Sequence, residues 1–137
     1  MSRYLIDTNI LSEPLKPYPH PNVVEKMQRF TLDIAIASIT WHEIRYGCER
    51  LPMSRRRNAI ETFLQSARVS FPILPYDSIA AAWHASERVR LKHRPPAFQD
   101  GQIAAIAATN QLIVVTNNVS DFRDFQGVQI ENWFDEL

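Results

Sequence analysis

Apolar residues along this chain follow two patterns. Short continuous runs have the length of β-strands, at 3–6, 33–39, 71–74, 112–115 and 128–130. Between these runs, apolar residues recur every three or four positions, which predicts helices at 7–13, 22–30, 55–67, 77–90 and 102–109. Strands that alternate with helices predict an α/β fold in three layers, with helices on both faces of a central, mostly parallel, twisted sheet.

One further helix is predicted from its start signal. Thr40 and Glu43 stand in the spacing of a capping box, in which the two side chains satisfy the first N–H groups of a helix. Ile39 and Ile44 flank the box as a hydrophobic staple. We therefore expect a helix to begin at Thr40 and Glu43 to share in capping it.

The helix that Asp77 or Ser78 caps has its own apolar face. An amphipathic helix turns such a face toward the core. The residues aligned on it are Ile79, Ala82, Trp83, Ser86 and Val89.

The composition is that of a globular protein. The 137 residues are 45% hydrophobic and 22% charged, which predicts a single domain over 1–137 with a substantial core. No apolar run approaches the roughly 20 residues that cross a bilayer, and we expect no signal peptide and no membrane association. The single cysteine, Cys48, fits a reducing cytoplasm. Fifteen basic and fifteen acidic residues cancel, which argues against a protein that coats nucleic acid by bulk charge.

Acidic residues follow the predicted strands. Asp7 follows the first strand, Glu43 lies in the helix after the second, and Asp121 follows the strand at 112–115. Asp100 begins the helix that leads into that strand. The carboxyl ends of parallel strands form one edge, where open α/β sheets bind ligands, so these acids are expected to converge. Each also has a structural interpretation: Asp7, Glu43 and Asp100 as helix caps, and Asp121 as a turn residue in competition with Asp124.

A cluster of carboxylates predicts a metal site. Like charges at close range raise one another's pKa, and a divalent cation removes that repulsion. Ligand sets made only of oxygen suit Mg²⁺ or Mn²⁺. With three glycines, the chain has no phosphate-binding loop or nucleophile elbow, and its four histidines lack zinc spacing.

Four segments in order resemble one family. LIDTNILSEPL (5–15), SITWHEIRYG (38–47), DGQIAAIAA (100–108) and VVTNNVSDF (114–122) resemble the acidic motifs of PIN-domain ribonucleases, specifically VapC-type toxins of the FitB-like group from toxin–antitoxin pairs. The resemblance implies a PIN-like fold and metal-assisted hydrolysis of RNA phosphodiester bonds. It implies that Asp7, Glu43 and Asp100 bind the metal and act in catalysis, with Asp121 as the fourth acid. Many PIN domains have an aspartate where this chain has Asn118.

The same resemblance extends to supporting residues and partners. Thr8, Asn9, Thr116 and Asn118 are expected to orient the metal ligands. Backbone contacts to single-stranded or looped RNA are expected from basic residues near the site, for which an ordinary solvated helix face is an equal alternative; they are Arg45, Arg50, Arg55, Arg88, Arg90, Lys92 and Arg94. The expected partners are an RNA substrate, a VapB-type antitoxin and a second copy of the chain in a homodimer or a higher assembly. Interface candidates are Trp41, Tyr46 and Phe63, for which core packing is an equal alternative.

Two other functions fit parts of the pattern. A non-catalytic PIN-like RNA-binding or scaffold protein would keep the fold without cutting, although the full acidic set argues against it. A phosphatase of the haloacid dehalogenase type also places an aspartate after its first strand. Those enzymes resemble Asp-x-Asp there, whereas this chain has Asp7-Thr8-Asn9.

Overall fold

The computed structural model describes residues 1–135. Glu136 and Leu137, the last two residues of the predicted single domain, lie outside the described residues. Five parallel strands form one sheet in the order β3-β2-β1-β4-β5. They are β1 (Tyr4–Ile6), β2 (Ile34–Ala37), β3 (Ile73–Leu74), β4 (Ile113–Val115) and β5 (Ile130–Glu131).

Six α-helices cover the sheet: α1 (Thr8–Leu11), α2 (Pro21–Arg29), α3 (Ser38–Glu49), α4 (Arg55–Ser70), α5 (Ser78–Arg90) and α6 (Phe98–Thr109). Alternate strand residues supply two separate cores. Tyr4, Ile6, Ile34 and Ile36 pack with the first four helices, whereas Leu5, Ala35 and Val114 pack with α5 and α6. The three-layer α/β/α prediction is therefore confirmed. No helix within residues 1–135 has the length and hydrophobicity to cross a membrane.

The strand order creates a crevice at the centre of the sheet. The chain leaves β1 toward β2 and β3 on one side and later returns to β4 and β5 on the other. Ligand sites of open α/β sheets lie outside the carboxyl ends of the strands where the order reverses. Here that position is shared by Asp7, directly after β1, and Thr116, directly after β4.

The predicted strands and helices are present, with boundary shifts of a few residues. Strand β3 is short and lies at the edge, as its flanking prolines predict. Trp133 is fully buried in the first core, where it contacts the ring of Tyr4 edge-on at 5.2 Å. The helix predicted at 102–109 begins earlier, at Phe98, so Asp100 lies within its first turn.

The predicted capping box at Thr40 is wrong. Helix α3 begins at Ser38 with Ala37 at its N-cap, and no side chain caps it. The hydroxyl of Thr40 is buried without a hydrogen-bond partner among the described residues. Ile39 and Ile44 do not meet either, because they pack into opposite cores. The strand before the helix anchors its start, and Glu43 is thereby free for another role.

The predicted packing face of α5 is only partly correct: Trp83 packs against the second core, whereas Ala82 and Ser86 are exposed. Ile79 and Val89 are 66% and 70% exposed, while His84 and Glu87 are buried. Burial of a polar group is tolerated when hydrogen bonds satisfy it. His84 is bonded to the hydroxyl of Tyr76, and Glu87 accepts from Arg90 and from a backbone N–H. The apolar periodicity of α5 therefore marks a mostly exposed face, because the buried face carries polar residues that are satisfied by partners outside the helix.

Candidate active site

The four predicted carboxylates line one cavity of about 380 Å³ at the carboxyl edge of the sheet. Its wall comes from four separate segments of the chain. The lining residues are Asp7, Thr8, Asn9, Ser12, Glu43, Gln99, Asp100, Ile103, Asn118 and Asp121. The sequence prediction that distant acids converge at this edge is therefore correct as geometry.

Asp7 is the most firmly held of the four. Its Oδ1 accepts a hydrogen bond of 2.8 Å from the backbone N–H of Thr8, so Asp7 does cap α1. Its Oδ2 accepts from the Thr116 hydroxyl at 2.9 Å and from the Asn9 amide at 3.2 Å. Capping and a place in the cavity are compatible, because each carboxylate oxygen has two lone pairs.

The other hydrogen bonds of Thr116 determine where its hydroxyl proton points. Its hydroxyl accepts from the Asn9 amide at 3.3 Å and from the backbone N–H of Asn118 at 3.0 Å. A hydroxyl has two acceptor positions and one proton. With both acceptor positions used, the single proton goes to Asp7. Thr116 therefore connects the Asn9 side chain and the Asn118 backbone to the Asp7 carboxylate.

Glu43 reaches the cavity from α3. Its Oε2 accepts a hydrogen bond of 3.1 Å from the Thr8 hydroxyl, which joins the second acidic segment to the first. The side chain is half-buried, and it makes no cap for its own helix. The earlier start of α3 therefore resolves the two interpretations of Glu43 in favour of the cavity.

Burial and mutual repulsion both raise the pKa of acids in the cavity. Burial, and after it the charges of Asp121, Asp7 and Glu43, together raise the pKa of Asp100 to about 6. Burial also raises the pKa of Asp7, against the opposing effect of its hydrogen bonds to Thr8, Thr116 and Asn9. The cavity therefore disfavours its own full ionisation.

Asp121 rather than Asp124 faces the cavity. Asp121 ends a short 3-10 turn, Val119–Asp121, and its charge acts on both Asp7 and Asp100. Asp124 lies outside the acidic cavity. Asn118 also lines the cavity, so it is placed to contribute an amide oxygen beside Asp121.

The donor set fits a divalent cation. Four carboxylates and several amide or hydroxyl oxygens line the cavity, and no Lys, Arg or His within residues 1–135 shares it. Oxygen ligands of this kind suit Mg²⁺ or Mn²⁺. In the described part of the chain, however, no three acidic, imidazole or thiol groups stand together closely enough to hold an ion. Carboxylates without a neutralising cation repel one another, which opposes their closer approach.

The seven predicted RNA-binding residues divide into two groups. Arg45 forms ion pairs with Glu49 and Glu61, and Arg90 pairs with Glu87, so these two cations are already neutralised. The other five make no ion pair among residues 1–135. They are Arg50, Arg55, Arg88, Lys92 and Arg94.

The sequence analysis missed two polar residues of the cavity, Ser12 and Gln99. Ser12 is four positions after Thr8, on the same side of a helical turn, and Gln99 immediately precedes Asp100. Helical spacing from the known acids is the signal that could have identified Ser12.

The proposed interface residues have mixed environments. Trp41 and Phe63 are partly buried against the first core. Tyr46 is 61% exposed, with the Arg50 guanidinium 5.6 Å from its ring centre. Core packing thus accounts for Trp41 and Phe63 in the monomer, and Tyr46 alone is free for an interface.

Comparison with known proteins gives a consistent family. The PIN domain family model matches residues 4–128. The chain is 32% identical to Toxin FitB of Neisseria gonorrhoeae over 96% of this chain and 99% of that protein. It is 33% identical to the tRNA(fMet)-specific endonuclease VapC of Salmonella typhimurium over 97% of this chain and 99% of that protein.

Solved structures agree with the sequence relatives. The crystal structure of FitAcB from Neisseria gonorrhoeae superimposes with a TM-score of 0.89 at 33% identity, over 97% of this chain and 99% of that chain. DNA-bound VapBC from Salmonella typhimurium gives a TM-score of 0.81 at 31% identity, again over 97% and 99%.

Proposed function

The chain belongs to the PIN-domain family, and on that premise we propose that it is a metal-dependent endoribonuclease neutralised by an antitoxin protein. The observation that carries the proposal is the convergence of four carboxylates, without a neutralising cation among the described residues, at the switch point of the sheet. The relatives include proteins named as ribonucleases, and similar structures are toxin–antitoxin complexes.

Four carboxylates share the proposed chemistry. The ion, Mg²⁺ or Mn²⁺, would be held by Asp7, Glu43, Asp100 and Asp121. When bound, the ion supplies Lewis-acid activation of water and of the scissile phosphate. Asp7 is locked by three donors, so it fixes one side of the site before substrate arrives. Preorganisation of this kind lowers the reorganisation needed during reaction.

The protein also supplies a proton acceptor. No histidine lines the acidic cavity in residues 1–135, so a carboxylate oxygen takes the proton of the attacking water. Any of the four acids that does not ligate the ion is available for this role. Thr8 and Thr116 keep Glu43 and Asp7 oriented while the charge in the cavity changes.

The proposed partner is a small antitoxin, and the assembly contains a homodimer of this chain or a higher oligomer. Structures of relatives are described as FitAB and VapBC complexes, which supports this assignment. The test is co-expression with the open reading frame next to this gene. A neutralising partner should co-purify with the chain and relieve growth arrest. Arrest that persists despite formation of the complex would contradict neutralisation.

The central experiment is RNA cleavage in Mn²⁺ and in EDTA, with mapping of the cleaved ends. Two relatives are named as tRNA(fMet)-specific endonucleases, so initiator tRNA is the first structured substrate to assay. Asp7→Asn and Asp100→Asn should each lose cleavage by about 100-fold or more while remaining folded. Glu25→Gln, a substitution on the exposed face of α2, is the matched control, and this variant should cleave normally.

The same assay separates the alternatives. A non-catalytic scaffold would bind RNA without producing new ends in any metal. Undiminished cleavage by both aspartate variants would remove the carboxylates from the mechanism. The PIN-domain match over residues 4–128 argues against the haloacid dehalogenase alternative.

A further inference from the structure

A second cavity of the described chain lies beside the acidic site rather than within it. It has a volume of about 540 Å³ and lies between the end of α5 and the start of α6. Sites for small organic groups have this size and combine apolar walls with a few polar side chains. The residues lining it include Arg88, Val89, Lys92, Pro96, Phe98 and Phe125.

A flat aromatic surface forms part of the cavity wall. Phe98 is 51% exposed although it is the first residue of a helix that is otherwise largely buried. The Arg88 guanidinium lies 5.1 Å from the centre of its ring, and the buried His84 ring lies 4.8 Å from it. Nucleobases stack on surfaces of this kind, whether aromatic rings or guanidinium planes.

His84 is held rigidly behind Phe98. Tyr76 bonds its Nδ1 at 2.8 Å. Its Nε2 lies so close to Gly101 that a Cβ at that position would be 2.1 Å away. The glycine therefore lets the imidazole pack against the first turn of α6, and the position of Phe98 is fixed in turn.

Positive charge surrounds this surface. Arg88, Lys92 and Arg94 are exposed and make no ion pair among residues 1–135, in contrast to Arg45 and Arg90. Glu87 also lines the cavity, but the guanidinium of Arg90 neutralises it through two bonds of 2.8 Å. The net charge at the cavity is thus positive, which favours a polyanion.

A groove joins the aromatic cavity to the acidic one. Pro95, Pro96 and Ala97 line both the large cavity and a smaller groove of about 210 Å³. That groove also contains Arg94 and Asp124, and it shares Asp100 and Asp121 with the acidic site. The three depressions therefore follow one another, with Arg94 between the aromatic surface and the carboxylates.

We propose that this path binds the RNA strand next to the scissile phosphate, with one nucleobase in the α5–α6 cavity against Phe98 and Arg88, and an adjoining phosphate on Arg94. The assignment rests on the proposed ribonuclease function and adds a nucleotide-binding subsite to it. A strand that leaves the acidic site in this direction meets an unpaired cation first and a stacking surface second. The subsite contributes affinity and base preference, and it takes no part in bond cleavage.

The test measures binding and cleavage separately. Binding of fluorescein-labelled single-stranded A, C and U octamers is measured by anisotropy in the non-cleaving Asp7→Asn background. Phe98→Leu should weaken binding by about 5- to 100-fold, the range of one lost base stack, and should reduce the differences among the octamers. Phe98→Tyr keeps a planar ring and should bind within about twofold of the parent. Arg94→Gln should weaken all three octamers equally and lower the salt dependence of binding.

Controls separate this proposal from the proposed function. Arg68→Gln changes a residue on the exposed face of α4, outside all three depressions, and this variant should bind the octamers as the parent does. In the otherwise wild-type chain, Phe98→Leu should raise KM more than it lowers kcat, because a remote contact adds binding shared by substrate and transition state. If the wild type cleaves RNA and Phe98→Leu and Arg94→Gln bind and cleave normally, the subsite is wrong and the ribonuclease assignment stands. If the wild type cleaves no RNA, the proposed function fails instead. A changed oligomeric state of Phe98→Leu with unchanged RNA affinity would assign the cavity to a protein contact and overturn the subsite.

Discussion

Removal of one carboxylate from the acidic cavity should stabilise the metal-free protein. Asp100 has a pKa raised from 3.8 to about 6 by burial and by its acidic neighbours. The ionised side chain is therefore disfavoured in the folded state relative to the unfolded chain. Asp100→Asn keeps the size and polarity of the side chain and removes its charge, so it isolates this electrostatic penalty.

The magnitude follows from the pKa difference. A shift of about two units corresponds to about 3 kcal/mol as an upper limit. Solvent reaches the partly exposed side chain and screens part of that energy, so about 1 to 2 kcal/mol is the expected gain at neutral pH. For a chain of this length, that gain corresponds to a rise in Tm of roughly 4 to 8 °C in EDTA.

The pH dependence has a defined sign. Because the pKa of Asp100 is raised on folding, its stabilising proton is fully bound below the unfolded value of 3.8 and is lost as the pH rises through about 6. The stability difference between Asp100→Asn and the wild type should therefore be small at about pH 4, grow toward about pH 6 and level off above it.

The assay is chemical unfolding followed by tryptophan fluorescence, in EDTA and in millimolar Mn²⁺. Metal should raise the stability of the wild type and have a much smaller effect on Asp100→Asn, because the ion binds the folded acidic cluster. Glu25→Gln serves as a control for loss of one surface carboxylate. If Asp100→Asn is no more stable than the wild type in EDTA, or gains as much from Mn²⁺, then the repulsion argument is refuted.

Three further predictions test the packing around the site. Thr116→Val should reduce cleavage by about 10- to 100-fold and stability by about 1 to 3 kcal/mol, because it removes the proton donated to Asp7 and leaves neighbouring donors unpaired. Cleavage kinetics and urea unfolding measure these two effects, and normal values in both assays would contradict the hydrogen-bond assignment. Gly101→Ala should destabilise the fold by about 1 to 3 kcal/mol, because the added Cβ would clash with His84. His84→Ala should relieve that clash in the double variant. If the changes in the free energy of unfolding of the two single variants simply add in the double variant, the clash is contradicted. Cys48 is 1% exposed and burial raises the pKa of its thiol, so it should react with a thiol reagent only as fast as the protein unfolds. Fast reaction in native buffer would contradict this prediction.

Much of the fold could be predicted from local pattern. The apolar runs that become β1, β2 and β4 and the periodicity of α4 are encoded in neighbouring residues. Asp7 was identifiable for the same reason, since a carboxylate directly after a parallel strand lies at the ligand-binding edge whichever way the rest of the chain folds. The resemblance of four segments then indicated a family that comparison confirms.

Local pattern failed where parts of the chain outside the segment decided the outcome. The box from Thr40 to Glu43 has a capping sequence, but β2 ends at Ala37 and the helix begins directly after it. On α5, hydrogen bonds from other segments allow His84 and Glu87 to be buried, and no periodicity within the helix records those partners.

The sequence by itself therefore determined the elements, their order and the presence of acids after the strands, because these depend on residues close together in the chain. Only the tertiary structure decided that Glu43 contacts Thr8, that Asp121 rather than Asp124 faces the cavity, and that Arg94 is unpaired whereas Arg90 is held by Glu87. The physical reason is that the orientation and ionisation of a polar side chain depend on partners that folding brings from elsewhere in the chain.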